Sequence, residues 1–240
     1  MRLPRSKIES PYIAKAVKRY RPGGFMPTQF DGCILWLRAD LGITIDVGVS
    51  EWKNQAADNL HPVQANTDYQ PTVHNNAING HAAIQFDGTD DYLQCTDTLA
   101  QPYIYYIVLN HITYEFSDYI YAGAGLSNAG NIITWTNYYL HSGSSVDTGI
   151  NASSKSGVWV ILSVLYNGAN SKFRLNNGEW VTSLDPGTDA GGGVTLGGYP
   201  PASNWANVEY AEAITYLEDK TILGEDSIIL NYLNSRYAIY

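Results

Sequence analysis

Between Phe30 and Leu217 the apolar residues never hold a helical period; they come in short runs, each closed by Gly, Asn, Asp or Ser. Ile34-Leu35-Trp36-Leu37 is one such run. Ala82 to Phe86 is another, ended by Asp87-Gly88, and Tyr103 to Ile112 is a long one rich in Tyr, Ile and Val. Ser117 to Ala122, Ile132 to Thr136, Trp159 to Tyr166, Val194 to Leu196 and Val208 to Leu217 follow. Lys172 to Leu175 and Glu179 to Val181 flank Asn176-Asn177-Gly178, which reads as a hairpin with Gly178 supplying the positive φ. About ten short strands with no helix between them predict a two-sheet antiparallel sandwich. The composition agrees: 19 Tyr and 6 Trp against only 15% charged residues is a strand-forming mixture.

The two ends depart from this pattern. In residues 224–240, Ile229, Tyr232, Leu233 and Tyr237 fall at helical spacing, with Glu225 and Asp226 at the positive helix end and Arg236 near the other, so one amphipathic helix closes the chain. Residues 1–29 form a basic arm, with seven basic residues against one acidic, +6; the remaining chain has seven against twenty-two, −15. Within the arm, Ser10 as N-cap, Pro11 at the first helical position, apolar Ile13, Ala16, Val17 and Tyr20, and the Gly23-Gly24 stop predict a short helix over about 11–21. So short a helix is marginal alone and needs something to pack on.

The domain division expected is therefore 1–29, an extended or helical anchoring arm, and 30–240, the sandwich. Arg2, Arg5, Lys7, Ile13, Val17, Lys18, Arg19, Tyr20 and Arg21 are the candidate anchoring residues, and an acidic protein surface is their expected neighbour. The acidic body argues against nucleic acid as a partner. No run of eighteen apolar residues and no signal-peptide core occurs, so neither a membrane span nor an export address is expected. Cys33 and Cys95 make no disulfide framework and are read as two buried free thiols.

Three blocks resemble one family. CILWLRADLGIT (33–44) with SEWKNQAADNLHPVQ (50–64), NGHAAIQFDGTDDYL (79–93) and EYAEAITYLEDKTILGEDSIILNYLNSRYAI (209–239) are similar to the opening, central and closing blocks of concanavalin A-like, laminin-G-type jelly-roll domains. The resemblance covers about residues 30–240 and implies two stacked antiparallel sheets, with carbohydrate binding, adhesion, hydrolysis and structural roles all present on the fold. Phage versions are often virion components: tail fibres, head fibres or capsid decoration proteins.

For chemistry, a hydrolase on this fold needs two carboxylates on one strand face. Glu209 and Glu212 are three apart and are expected on opposite faces, with Glu212 paired inside the sandwich, Arg38 its candidate partner. There is no GxSxG, and His61, His74, His81, His111 and His141 lack zinc-site spacing. No resident cofactor is expected. Calcium is the one metal weighed, with Asp87, Asp90 and Asp91 as its candidate ligands, against a plain Asx turn as the alternative. Among loop aromatics, Trp135, Tyr138 and Tyr139 are noted, and Tyr199, Asn204 and Trp205 are the candidate sugar-binding set. The resulting expectation is a non-enzymatic phage virion protein, assembled in the host cytoplasm, homo-oligomeric in the particle and joined to capsid or tail subunits by its arm. The alternative is a carbohydrate-binding adhesin for host-surface glycans; a glycoside hydrolase ranks third.

Overall fold

The computed structural model describes residues 24–57, 60–124 and 129–240, so the helix expected over 11–21 and the anchoring residues lie outside the described residues. Strands are numbered in chain order. The back sheet has eight: β14 (Val181–Leu184), β13 (Ser171–Leu175), β12 (Trp159–Tyr166), β7 (Tyr103–Thr113), β18 (Asn207–Tyr216), β5 (His81–Asp87) and β4 (Thr72–Ile78), with β1 (Cys33–Arg38) also on β18. The front sheet has six: β11 (Ser145–Asn151), β10 (Asn137–Ser142), β9 (Ala129–Thr134), β8 (Asp118–Ala122), β15 (Gly191–Leu196) and β6 (Leu93–Leu99). Two small ladders, β2 (Ile43–Ile45) with β3 (Val49–Trp52) and β16 (Gly198–Tyr199) with β17 (Asn204–Trp205), complete the set. The all-β sandwich read from the run-and-turn pattern is the observed architecture, and its strand pairings are antiparallel.

Alternation decides which side chains enter the core. In β10, Tyr138, Leu140 and Ser142 are buried while Asn137, Tyr139 and His141 are half-buried on the other face. The inner faces meet in one large core that holds Leu109, Tyr121, Leu140, Phe173 and Tyr210. A second core lies on the far side of the back sheet, where the C-terminal helix (Glu225–Tyr237) seats Ile229, Leu230, Leu233 and Tyr237 against Trp36, Val108, Ala211 and Ile214. Each of those helix anchors contributes roughly 2 kcal/mol by leaving water. A salt bridge of 2.6 Å from Arg174 on β13 to the buried Asp226 ties the first turn of the helix to the sheet. At the other end Ala238 turns left-handed (φ 47°) and the Asn234 carboxamide accepts from Ile239 N and Tyr240 N.

Two sequence expectations are corrected here. The turn after β13 takes its left-handed residue at Asn176 (φ 53°) and not at Gly178. Asn176 is held there by β12, since its N–H donates to Ile161 O and its side-chain oxygen accepts from Ile161 N, both at 2.8 Å. Glu212 lies beneath the helix, not between the sheets. Arg38 sits opposite it in register but turns its guanidinium to Asp40. Cys33 and Cys95 form no disulfide with each other; Cys33 is only half-buried, against the expectation of two buried thiols, and burial pushes the Cys95 thiol up to about 12.

Candidate functional site

The back sheet's outer face is covered by the helix; among the described residues no helix covers the front sheet's outer face. Its register puts one row of side chains across four strands: Tyr119 on β8, Ile133 on β9, Tyr139 on β10 and Asp147 on β11. Tyr119 and Tyr139 are half-buried, Asp147 is exposed, and Ile133 lies buried between the two tyrosines. Further aromatics extend the row at both ends. The Tyr199 ring stacks on Tyr119 at 5.0 Å and 19°. Beside Tyr139 stands Trp135, ring centroids 4.3 Å apart, and Phe116, 70% exposed, stacks on Trp135 at 6.4 Å and 19°. The backbone at Trp135 is pinned by the Tyr114 hydroxyl, which donates to its carbonyl.

Polar groups form the rim. Asp147 accepts from Gly149 N (2.7 Å), from Asn137 Nδ2 (3.0 Å) and from the Tyr139 hydroxyl (2.9 Å). Partial burial works against its charge, but these donors outweigh it and hold the carboxyl below its usual range. The same bond to Asp147 raises the Tyr139 phenol, keeping it a neutral donor. His141, next along β10, is hydrogen-bonded to Ser145 Oγ at 2.8 Å, and burial lowers its pKa, so it is a neutral imidazole at pH 7. Apolar ring faces beside a fixed acceptor and neutral donors suit a ligand with both CH faces and hydroxyls.

The sequence-expected sugar set is divided by this geometry. Tyr199 and Asn204 are register partners in the β16–β17 ladder, and Asn204 Nδ2 donates to Ser117 O at 3.2 Å, anchoring the ladder beside β8. Trp205, paired with Gly198, stacks instead on Tyr92 at 5.8 Å and 26°. Trp135 and Tyr139 join the outer row, whereas Tyr138 is fully buried against Phe173 at 5.3 Å. Phe116, Tyr119, Asn137 and Asp147 were not singled out from sequence. The alternation in NYYLHS and SVDTGIN carries the facing of Asn137 and Asp147, but only register unites them with Tyr119.

The carboxylates on β18 are also rearranged. Opposite β7, Glu209 pairs with Asn110, Tyr210 with Leu109 and Glu212 with Val108, so Ala211 is an extra residue, a β-bulge. The bulge resets the alternation, and Glu209 and Glu212 share the outer face of the back sheet. Glu212 is wholly buried, with Trp36 Nε1 at 2.7 Å and the Tyr232 and Tyr237 hydroxyls at 2.8 Å all donating to it. Glu209, also buried, is bonded to His74 and accepts from Asn110 Nδ2 at 3.1 Å; the His74 side chain is half exposed. His111 is likewise buried, bonded to Asp118 at 2.7 Å. A separate groove of about 630 Å³ runs along the helix between Phe25, His81, Tyr232 and Arg236, away from the aromatic row.

At the strand end after β5, Asp87 Oδ1 accepts from Thr89 N (2.7 Å) and Asp90 N (3.4 Å), the bonding of an Asx turn. Asp91 Oδ2 accepts from Asp87 N at 3.1 Å. One ligand atom from each of Asp87, Asp90 and Asp91 falls within 4.8 Å of the others, so the turn also gathers the three candidate calcium ligands.

No family model and no curated protein matches the chain. Among solved structures, a Trypanosoma rangeli sialidase in complex with sialic acid is 12% identical at a TM-score of 0.56, over 86% of this chain and 33% of that one. The binding domain of Paraclostridial Mosquitocidal Protein 1 is 7% identical at 0.56, over 86% of this chain and 52% of that one. An arabinofuranosidase complexed with arabinofuranosyl-alpha-1,2-xylobiose is 15% identical at 0.53, over 77% and 51%. This chain thus spans about a third to a half of the length of those structures, and at such identities the likeness establishes the sandwich fold alone. None of the three is a laminin-G-type or phage protein by name, so the narrower family resemblance is not what they support.

The expectation of a chain without enzymatic activity is corrected. Its fold is one found within a sialidase and an arabinofuranosidase. The residue argument against hydrolysis fails as well, because the bulge at Ala211 returns Glu209 and Glu212 to one face.

Proposed function

We propose that the protein binds carbohydrate on the outer face of its front sheet. The observation that carries this reading is the row Tyr119, Ile133, Tyr139 and Asp147, extended by Tyr199 and Trp135, on a sheet face that no described helix covers. Pyranose rings offer apolar CH faces to aromatic rings and hydroxyls to carboxylate, amide and imidazole groups, and that row supplies both. The sugars held in two fold relatives, sialic acid and arabinofuranosyl-alpha-1,2-xylobiose, support the same class of ligand. The test is a glycan array followed by titration of intrinsic tryptophan fluorescence, with Tyr119→Ala and Trp135→Ala beside the parent. Affinity untouched by either substitution would sink the assignment to this face.

We also propose a setting, a virion part held by its arm to other virion proteins and present in several copies. The support is the charge contrast between residues 1–29 and the body, +6 against −15. Deleting residues 1–23, which spares Phe25 and Pro27 where they pack on Tyr232 and Tyr216, tests it: the domain remains folded and no longer joins particles. Normal incorporation would remove the anchoring role.

A further inference from the structure

We infer that the ligand of the outer face is a neutral oligosaccharide at least three units long, not an acidic one; this rests on the carbohydrate-binding reading above. The first observation is that the described strands of this sheet carry no cation. The strands β6, β8, β9, β10, β11 and β15 contain no lysine or arginine. Elsewhere among the described residues, Arg38, Arg174, Lys220 and Arg236 are engaged in ion pairs with Asp40, Asp226, Glu218 and Glu225 at or beside the C-terminal helix, Lys172 donates to Thr221 Oγ1 at 2.8 Å, and Lys53 follows β3, which meets the sheet at β6, the edge opposite β11. Lys155 follows in the turn Ser153–Lys155, beyond the Asn137–Asn151 pair that closes the β10–β11 ladder.

The second observation is a fixed anion. Asp147 stands in the same row as the aromatic rings, held ionised by Gly149 N, Asn137 and Tyr139. A sialic or uronic acid laid on the rings brings a second carboxylate beside it, with no cation on the described strands of this sheet to offset the repulsion. A neutral sugar meets no such penalty, and its hydroxyls donate to Asp147 while the neutral His141 offers a further polar partner. The face therefore selects by charge, through repulsion as much as attraction.

Length follows from register. Tyr119 and Tyr139 both pair with Ile133, so two strand spacings, about 10 Å, separate the two aromatic platforms. A pyranose ring with its linkage advances by roughly one such spacing, about 5 Å. Rings stacked on both platforms are thus the first and third of a chain that crosses the strands.

The experiment titrates the full chain, by calorimetry at low salt, with linear neutral oligosaccharides of one to five units (gluco-, xylo- and arabino-series), sialyllactose and oligogalacturonate. Within one neutral series affinity rises to three units and then levels, and acidic glycans bind at least about tenfold more weakly. Asp147→Lys, with its thermal midpoint checked against the parent, narrows or inverts that preference. Binding of acidic glycans in preference to all neutral ones overturns this inference and leaves the carbohydrate reading standing. An affinity that no longer grows beyond one unit overturns the two-platform register. Silence toward every glycan overturns the underlying reading and this inference with it.

Discussion

The Trp36 indole on β1 donates its N–H to Glu212 on β18 at 2.7 Å, a bond between strands 176 residues apart in sequence, made on the face that the C-terminal helix covers. The helix completes the arrangement with the Tyr232 and Tyr237 hydroxyls and sets the Arg236 Nε 3.8 Å from the same carboxylate. Opening strand, closing strand and helix therefore meet at one buried acid. Glu212→Ala leaves the Trp36 and Tyr232 donors without an acceptor and Tyr237 only its 3.4 Å contact with Ala211 O, and costs about 3–5 kcal/mol, while Glu212→Gln, which keeps an acceptor oxygen, costs about 1–2 kcal/mol. Urea unfolding of the two variants measures both; equal losses would show that packing, not the bonds, holds the joint.

On the front sheet, Trp135→Ala and Tyr119→Ala each remove a ring face from the row and weaken glycan binding by about 1–2 kcal/mol, near tenfold, with thermal stability almost unchanged. Tyr199→Ala acts in the same direction through its stack on Tyr119. Trp205→Ala leaves affinity intact, because that ring lies against Tyr92. Parallel titrations of the four variants separate the row from the loop; a loss confined to Trp205→Ala would move the site to the Tyr92 side.

Asp91 supplies a pH signature. Burial first, then the neighbouring Asp87 charge, raises its pKa from 3.8 to about 6. Between those values the folded state holds a proton that the unfolded chain has released, so stability is fully present at the lowest pH and is lost as pH rises to about 6. Asp91→Asn removes the loss while keeping an acceptor for Asp87 N. Its melting point exceeds the parent's at pH 7.5 and matches it near pH 3.5. Calcium added at pH 7.5 sorts the two readings of this turn: a rise in the parent's melting point that the variant lacks assigns an ion to it, and a flat response assigns the turn alone.

Gly197, between β15 and the β16–β17 ladder, has φ 88°, and a Cβ there falls 2.2 Å from the Phe86 ring and 2.8 Å from Asp91 O. Gly197→Ala costs about 3 kcal/mol and, by displacing the ladder, weakens binding through Tyr199. Differential scanning fluorimetry and the same glycan titration read the two effects. Binding lost with stability retained would mean a local shift of Tyr199 without strain in the core.

The sequence by itself determined the class and many of the elements: run-and-turn alternation marks about ten of the strands, though not β10 and β11, the helical spacing of Ile229, Leu233 and Tyr237 marks the closing helix, and self-bonding Asx chemistry marks the turn at Asp87. These rest on neighbours within a few residues. Which faces are shared was decided only by tertiary pairing. Residue spacing sends Glu209 and Glu212 to opposite sides of β18, but opposite β7 one extra residue is absorbed at Ala211, and the side chains after it change face. The turn after β13 chose Asn176 over Gly178 because β12 bonds it there. Tyr119, Tyr139 and Asp147 look like separate polar or aromatic residues along the chain, and they form one surface because three strand pairings fix one register. Local backbone preference needs no distant partner, whereas a binding face is made of partners that the chain meets only once the sheets have formed.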